Sequence, residues 1–317
     1  MTEPARHGVA RRTVVVGVLA AVMPVAGCGI RLEDDAPRVP LVPTRTPVPA
    51  EAELVALTRA TEALAELAAT VPGALAADLA ELHRRQHTVL RTTLVGAGVP
   101  AELLDAQPTA SGTPSGTPSA GASASPAGSD RTALAAAEGA SAAVSAAFAG
   151  VPADLRATVA ALHGQRYAAA SLLAGRPPTV PLDPVDGESV AALATSTAAA
   201  AYLLEVVAAR STGAQRDRAG TTLSALQALQ VDQEAGGAKA DVALGHPLPF
   251  PVEDDRDAAR LARESLTALR AGYGAHLGPL VAGDGGAGLS ALTRWLGTVE
   301  VEAHRWGVAL APFPGLT

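Results

Sequence analysis

Apolar side chains recur at helical spacing along most of the chain. Between residues 52 and 70, Leu54, Leu57, Leu64 and Leu67 return at intervals of three or seven positions, which places them on one face of a helix. Proline and glycine divide the rest of the pattern into similar segments. The pattern predicts eight helices, at residues 52–70, 72–95, 131–149, 152–174, 189–210, 215–234, 253–278 and 289–310.

The amino-acid composition favours an all-α protein. Aromatic side chains make up only 3% of the chain, and alanine, which has the highest intrinsic helix propensity, is abundant. Few residues that favour strands interrupt the helical segments. We therefore expect helices that approach one another closely through small side chains.

The first 28 residues have the pattern of a bacterial lipoprotein signal peptide. Arg11 and Arg12 precede an apolar stretch, residues 13–26, which is shorter than the ~20 residues of a membrane-spanning helix. The stretch leads into Gly27 and Cys28, the only cysteine of the chain. This pattern predicts removal of residues 1–27 and acylation of the Cys28 thiol. The arginine pair leaves both twin-arginine and general secretory export open.

Lipidation of Cys28 places the mature protein at the cell membrane, on its extracytoplasmic face. Residues 28–50 contain five prolines and few large apolar side chains, so we expect an extended tether there. The chain carries a net charge of −7 and no basic patch, which disfavours nucleic acid and anionic membrane surfaces as partners. The acyl chains on Cys28 are therefore the predicted membrane contact.

Two segments of unusual composition divide the mature chain. Residues 107–130 consist almost entirely of Ser, Thr, Gly, Ala and Pro, and they predict a disordered insert. Residues 176–188 predict a proline-rich hinge. The expected organisation is an N-terminal helical module at 51–175 and a C-terminal helical module at 189–311.

Two of the predicted helices share a short sequence pattern. A Val-Pro pair precedes His83 and His163 by the same distance, which predicts two similar helical hairpins or a chance similarity between alanine-rich helices. His83 and His87 stand four residues apart, a spacing that can bind zinc or copper adventitiously, and His163 could join them. Arg84 stands where a zinc-protease helix has glutamate. The alternative is that these histidines lie on an exposed helix flank.

Three motifs in the C-terminal half carry a resemblance to a known family. They are Pro247-Leu248-Pro249-Phe250-Pro251-Val252, Ala303-His304-Arg305-Trp306 and Pro312-Phe313-Pro314-Gly315. With these motifs, residues 190–315 resemble a ferritin-like helical domain of unknown function found in actinobacterial envelope lipoproteins. The resemblance implies a ferritin-like four-helix bundle and no particular activity.

The metal-site pattern of such bundles is incomplete in this chain. A ferritin-like di-metal centre takes glutamates from two helices and a Glu-x-x-His pair from each of the other two, and the chain contains no Glu-x-x-His. Glu300 and His304 come nearest, and Glu205 and Glu264 could join them in a mononuclear iron, manganese or zinc site. The alternative is a surface pair of Glu300 with His304, so no cofactor is expected. Further candidates are Asp232, Glu234 and His276.

The remaining motifs do not indicate catalysis. The glycine run at 283–288 follows no predicted strand, and the chain has no Gly-x-Ser-x-Gly elbow. Trp295 and Trp306 share a helix face, which predicts core packing or, with Tyr202 and Tyr273, an apolar cleft. The leading expectation is a non-enzymatic module that binds an envelope protein or a small ligand. The alternatives are a degenerate ferritin-like metal-binding or redox protein and a structural spacer in the envelope.

Overall fold

A computed structural model describes residues 45–105, 126–185, 187–241, 243, 245–282 and 286–316 of the chain. All regular elements within these residues are helical, so the all-α prediction is confirmed. The signal peptide, Cys28 and the tether up to residue 44 lie outside the described residues, as does most of the predicted insert. Residues Thr46–Thr317 form one compact unit.

Each of the eight predicted helices overlaps a helix of the structure. The α-helices in the described residues are α1 (Glu51–Thr70), α2 (Ala74–Gly96), α3 (Ala101–Asp105), α4 (Pro126–Ala143), α5 (Ala153–Ala174), α6 (Glu188–Arg210), α7 (Gly213–Glu234), α8 (Asp255–Val281) and α9 (Ala287–Arg305). The short helix α3 is additional to the prediction. The third predicted helix divides into α4 and a 3-10 helix, Ser145–Gly150. It also begins earlier than predicted, because proline is well tolerated in a first helical turn.

The helices of the two predicted modules share one core. α1 packs against α2 and α4 against α5, while α6 contacts both α7 and α8. α5 also packs extensively against α9, which joins the two halves of the chain. The largest hydrophobic cluster accordingly contains residues from both halves, among them Leu54, Leu162, Leu193, Leu261 and Trp295.

Two glycines bring α5 and α9 close together. A Cβ atom on Gly297 would lie 2.5 Å from Cδ1 of Tyr167 and 2.8 Å from the carbonyl oxygen of Gly164. A Cβ atom on Gly164 would lie 3.2 Å from Cδ2 of Leu296. The absence of a side chain at both positions is therefore what allows this helix pair to approach so closely.

One helix has the composition of a membrane span. Among the described helices, α6 alone is long and apolar enough to cross a bilayer, with a mean hydropathy of 1.6 over its most apolar window. Half of that window is buried inside the protein, where α6 contacts α7 and α8. A core helix of a globular protein has this same composition.

Candidate functional site

The structure does not gather the four residues of the predicted C-terminal metal set into one cluster. Glu205 and Glu264 are exposed on α6 and α8, and Glu264 pairs with Arg260 of its own helix at 2.8 Å. Glu300 is buried on α9, and His304 is half-buried. The described part of the chain contains no group of three or more His, Cys, Asp or Glu side chains suited to hold a metal ion.

Glu300 instead anchors the C-terminal segment. Its carboxylate accepts hydrogen bonds from Arg270 at 3.0 Å and from the backbone N–H of Ala311 at 2.6 Å. Burial raises the pKa of Glu300, while Arg270 and the Ala311 N–H act in the opposite direction. Because Glu300 points into the protein toward Arg270, the alternative of a surface pair with His304 is wrong.

The predicted aromatic residues belong mainly to the core. Trp295 and Tyr273 are fully buried, and Trp306 is nearly so. The Tyr273 hydroxyl lies 3.0 Å from the hydroxyl of Thr197, and burial raises the pKa of Tyr273 to about 12. Tyr202 is only half-buried.

His83 and His87 point in different directions. His87 is half-buried at the surface, with its Nε2 atom 4.0 Å from a carboxylate oxygen of Glu62. His83 is completely buried and bonds to Glu138 through Nε2 at 2.6 Å. The prediction that both histidines lie on an exposed flank is therefore wrong for His83. Its partner comes from α4, far away in the sequence, and no local pattern predicts that contact.

His83 belongs to a layer of fully buried polar side chains between α1, α2, α4 and α5. We call this set the polar layer; its members are Thr61, His83, Gln86, Glu138, Gln165 and Arg166. Nη1 of Arg166 lies 2.5 Å from Nδ1 and 3.1 Å from Nε2 of His83. The same guanidinium donates to a carboxylate oxygen of Glu138 at 3.4 Å and to the Thr61 hydroxyl at 3.1 Å. Each of the four helices thus contributes to one hydrogen-bonded network.

The polar layer gives both ring nitrogens of His83 a partner. Nε2 lies 2.6 Å from a carboxylate oxygen of Glu138, and Nδ1 lies 3.1 Å from the amide oxygen of Gln86. Burial lowers the pKa of Arg166, and the carboxylate of Glu138 opposes that effect. The layer therefore brings a guanidinium, an imidazole and a carboxyl group together away from water.

His163 lies one helical turn before Arg166 and is also fully buried. Its Nδ1 atom donates to the carbonyl oxygen of Ser141 at 2.9 Å, and its ring lies 5.0 Å from that of Phe148. Burial and the charge of Arg166 lower the pKa of His163 to about 3. The ring is therefore neutral at physiological pH, and it does not join His83 and His87 in a metal site.

An open apolar groove runs between α1 and α4 and ends at the 3-10 helix. We call it the α1–α4 groove; its volume is about 480 Å³. Leu57, Leu64 and Leu67 line it together with alanines of both helices, and Val144 and Phe148 complete it. Among the residues that the structure describes, Glu53 and Ser141 are the only polar ones that line it. Val144 is half exposed to solvent, so the groove is a surface feature and not a closed cavity.

No protein-family model, curated protein or solved structure matches this chain.

Proposed function

We propose that this protein is a lipid-anchored extracytoplasmic helical-bundle protein that binds an elongated apolar ligand without catalysing a reaction. The anchor is an acylated Cys28 at the end of the lipoprotein signal pattern. The C-terminal half is a ferritin-like bundle by its resemblance, without the ligands of a metal centre. The single observation that supports ligand binding is the α1–α4 groove.

The shape of the groove favours an aliphatic chain. The outermost lining residues on α1 are Glu53 and Leu67. At the rise per residue of an α-helix, they lie about 21 Å apart along the helix axis. The volume of about 480 Å³ lies within the ~300–1,000 Å³ of typical small-ligand sites. Leu57 and Leu64 are buried, whereas the lining alanines of α1 are exposed. The groove therefore has an apolar base, and the small side chains at its rim leave room for a narrow ligand. An acyl chain has this length, this width and this lack of polar groups.

The energetics also favour an apolar occupant. Each methylene that moves from water into an apolar site contributes about 0.8 kcal/mol. The groove offers almost no hydrogen-bonding partners, so a polar ligand would lose its bonds to water without replacement. Residues 106–125 adjoin α4 in sequence but contain no large apolar side chain. They are therefore unsuited to fill the groove themselves.

A fluorescent long-chain fatty acid tests the proposal directly. The protein is the full chain with Cys28→Ser, which removes the predicted lipid. Ala60→Arg puts a charge into the groove, and Ala69→Arg makes the same change at an exposed position of α1 outside it. We expect Ala60→Arg to weaken binding by about tenfold or more, or about 1.4 kcal/mol. Ala69→Arg should bind like the parent protein.

Three results would contradict the proposal. The first is no saturable binding by the parent protein, and the second is equal weakening by both arginine variants. The third is a parent protein that dimerises through the groove, so that sedimentation gives a dimer for the parent and a monomer for Ala60→Arg. That result would identify the groove as a contact between two copies of the chain.

A further inference from the structure

A small open pocket lies between α5, α7 and α9. We call it the α5–α9 pocket; its volume is about 200 Å³. This volume is below the ~300–1,000 Å³ of sites for drug-sized ligands, so an occupant of the pocket has to be small. Pro177, Ala225 and Val301 give the pocket apolar walls, and Tyr167 and Thr298 add hydroxyl groups to its lining.

The α5–α9 pocket carries an excess of positive charge. Among the residues that the structure describes, Arg176, Glu302 and Arg305 are the charged ones that line it, and their charges sum to +1. Arg176 is exposed directly after α5, and it forms no hydrogen bond or ion pair within the described part of the chain. Its guanidinium is therefore available to an anion that enters the pocket.

Arg305 is held at the pocket by a buried carboxylate. Its Nη1 atom donates to Glu302 at 2.6 Å, and Glu302 is only 2% exposed. The other carboxylate oxygen of Glu302 accepts from the hydroxyl of Thr222 at 2.8 Å, and Nε1 of Trp306 donates to the same hydroxyl at 3.0 Å. A guanidinium has five N–H donors, so Arg305 keeps donors that Glu302 does not use. The buried partners thus preorganise Arg305 for a ligand.

The C-terminus of α5 opposes anion binding only in part. Gly175 ends this helix in a left-handed conformation and also lines the pocket, so the carbonyl end of the helix dipole lies beside it. Such an end carries about −0.5 of a charge, against the net +1 of the charged lining residues. Arg131 weakens the repulsion further, because it donates to the carbonyl oxygens of Leu172 at 3.2 Å and Leu173 at 3.0 Å.

We propose that the α5–α9 pocket binds a small organic acid, with its carboxylate at Arg176 and Arg305 and its apolar part against Pro177 and Val301. The planar fork of a guanidinium matches the geometry of a carboxylate. Inorganic phosphate fits the pocket less well, because its oxygens would lose water against the apolar walls without gaining a partner there. This proposal does not depend on ligand binding in the α1–α4 groove.

Isothermal titration calorimetry with benzoate tests the proposal on the full chain with Cys28→Ser. Benzoate joins a planar carboxylate to a small apolar ring, and benzamide has the same shape without the charge. We expect one benzoate to bind per protein, and benzamide to bind about tenfold more weakly or not at all. Arg176→Gln should weaken benzoate binding by about tenfold. Arg263→Gln makes the same change at an exposed position of α8 outside the pocket and should bind like the parent.

Arg305 requires a different substitution, because loss of its charge would leave the buried Glu302 without a counter-ion. Arg305→Lys keeps the positive charge and removes the planar fork. We expect this variant to keep the helical circular dichroism signal of the parent and to bind benzoate more weakly.

Three results would overturn the proposal. The first is no saturable benzoate binding by the parent protein, and the second is benzamide that binds as tightly as benzoate. The third is benzoate binding that is equal in the parent, Arg176→Gln and Arg305→Lys, which would place the benzoate elsewhere. Inorganic phosphate is titrated in parallel, and binding of phosphate without binding of benzoate would identify a site for simple anions and overturn the proposal as well.

Discussion

His163 makes the free energy of unfolding of the protein decrease as the pH falls. The ring is fully buried, and Nε2 has no hydrogen-bond partner within the described residues. Burial and the nearby charge of Arg166 lower the pKa of His163 to about 3, from 6.5 in the unfolded chain. The folded protein thus strongly prefers the neutral imidazole.

The sign of the effect follows from proton binding. Above pH 6.5 the ring is neutral in both states, so the full stability is present. As the pH falls from 6.5 toward 3, the unfolded chain binds a proton that the folded protein does not. Each pH unit in this window costs about 1.4 kcal/mol, so roughly 3 kcal/mol is lost by pH 4.

Urea unfolding of the parent protein and of His163→Gln at pH 7 and pH 4 isolates this effect. Glutamine does not titrate, so the difference in unfolding free energy between the two proteins should shift by about 3 kcal/mol in favour of the variant at pH 4. His87→Gln is the matched control, because His87 lies at the surface. A difference between parent and His163→Gln that is the same at both pH values would refute the reasoning.

Two further predictions concern the helix contact and the anchor. Gly297→Ala should destabilise the protein by about 1–3 kcal/mol in thermal unfolding, because the new methyl group clashes with Tyr167. Gly220→Ala, where a Cβ atom meets nothing within 4 Å, should instead be neutral or stabilising; equal loss in both variants would exclude the clash as the cause. Cys28→Ser should abolish labelling by a fatty-acid probe in a bacterial host, and a variant that still carries the label would disprove lipidation at this residue.

The helices could be predicted from the sequence because their signals are local. Apolar residues at helical spacing, with proline and glycine at the boundaries, depend only on neighbours within a few turns. Pro152 and the residues after it predict α5 almost to the residue, and the structure begins that helix at Ala153. The break between α4 and the 3-10 helix has no such signal.

The side-chain partners could not be predicted in this way, because they are distant in sequence. His83 meets Glu138 across 55 residues and Arg166 across 83 residues. Spacing along one helix pairs His83 with His87. In the structure, however, His87 lies beside Glu62, and His83 bonds to Glu138. One signal was available: Glu138 and Arg166 are isolated charges within alanine-rich helical stretches, and such charges commonly pair when buried.

The polar layer and the α1–α4 groove lie on neighbouring faces of the same two helices. Ala60 lines the groove and Thr61 belongs to the layer; on α4, Ala137 lines the groove and Glu138 belongs to the layer. Alanine and leucine contacts tolerate changes in helix rotation, whereas charged hydrogen bonds demand a defined geometry. A buried ion pair often adds less stability than apolar side chains of the same size would. We therefore infer that the polar layer fixes the rotation of α1 and α4 about their own axes. This rotation keeps the alanines of both helices facing one groove.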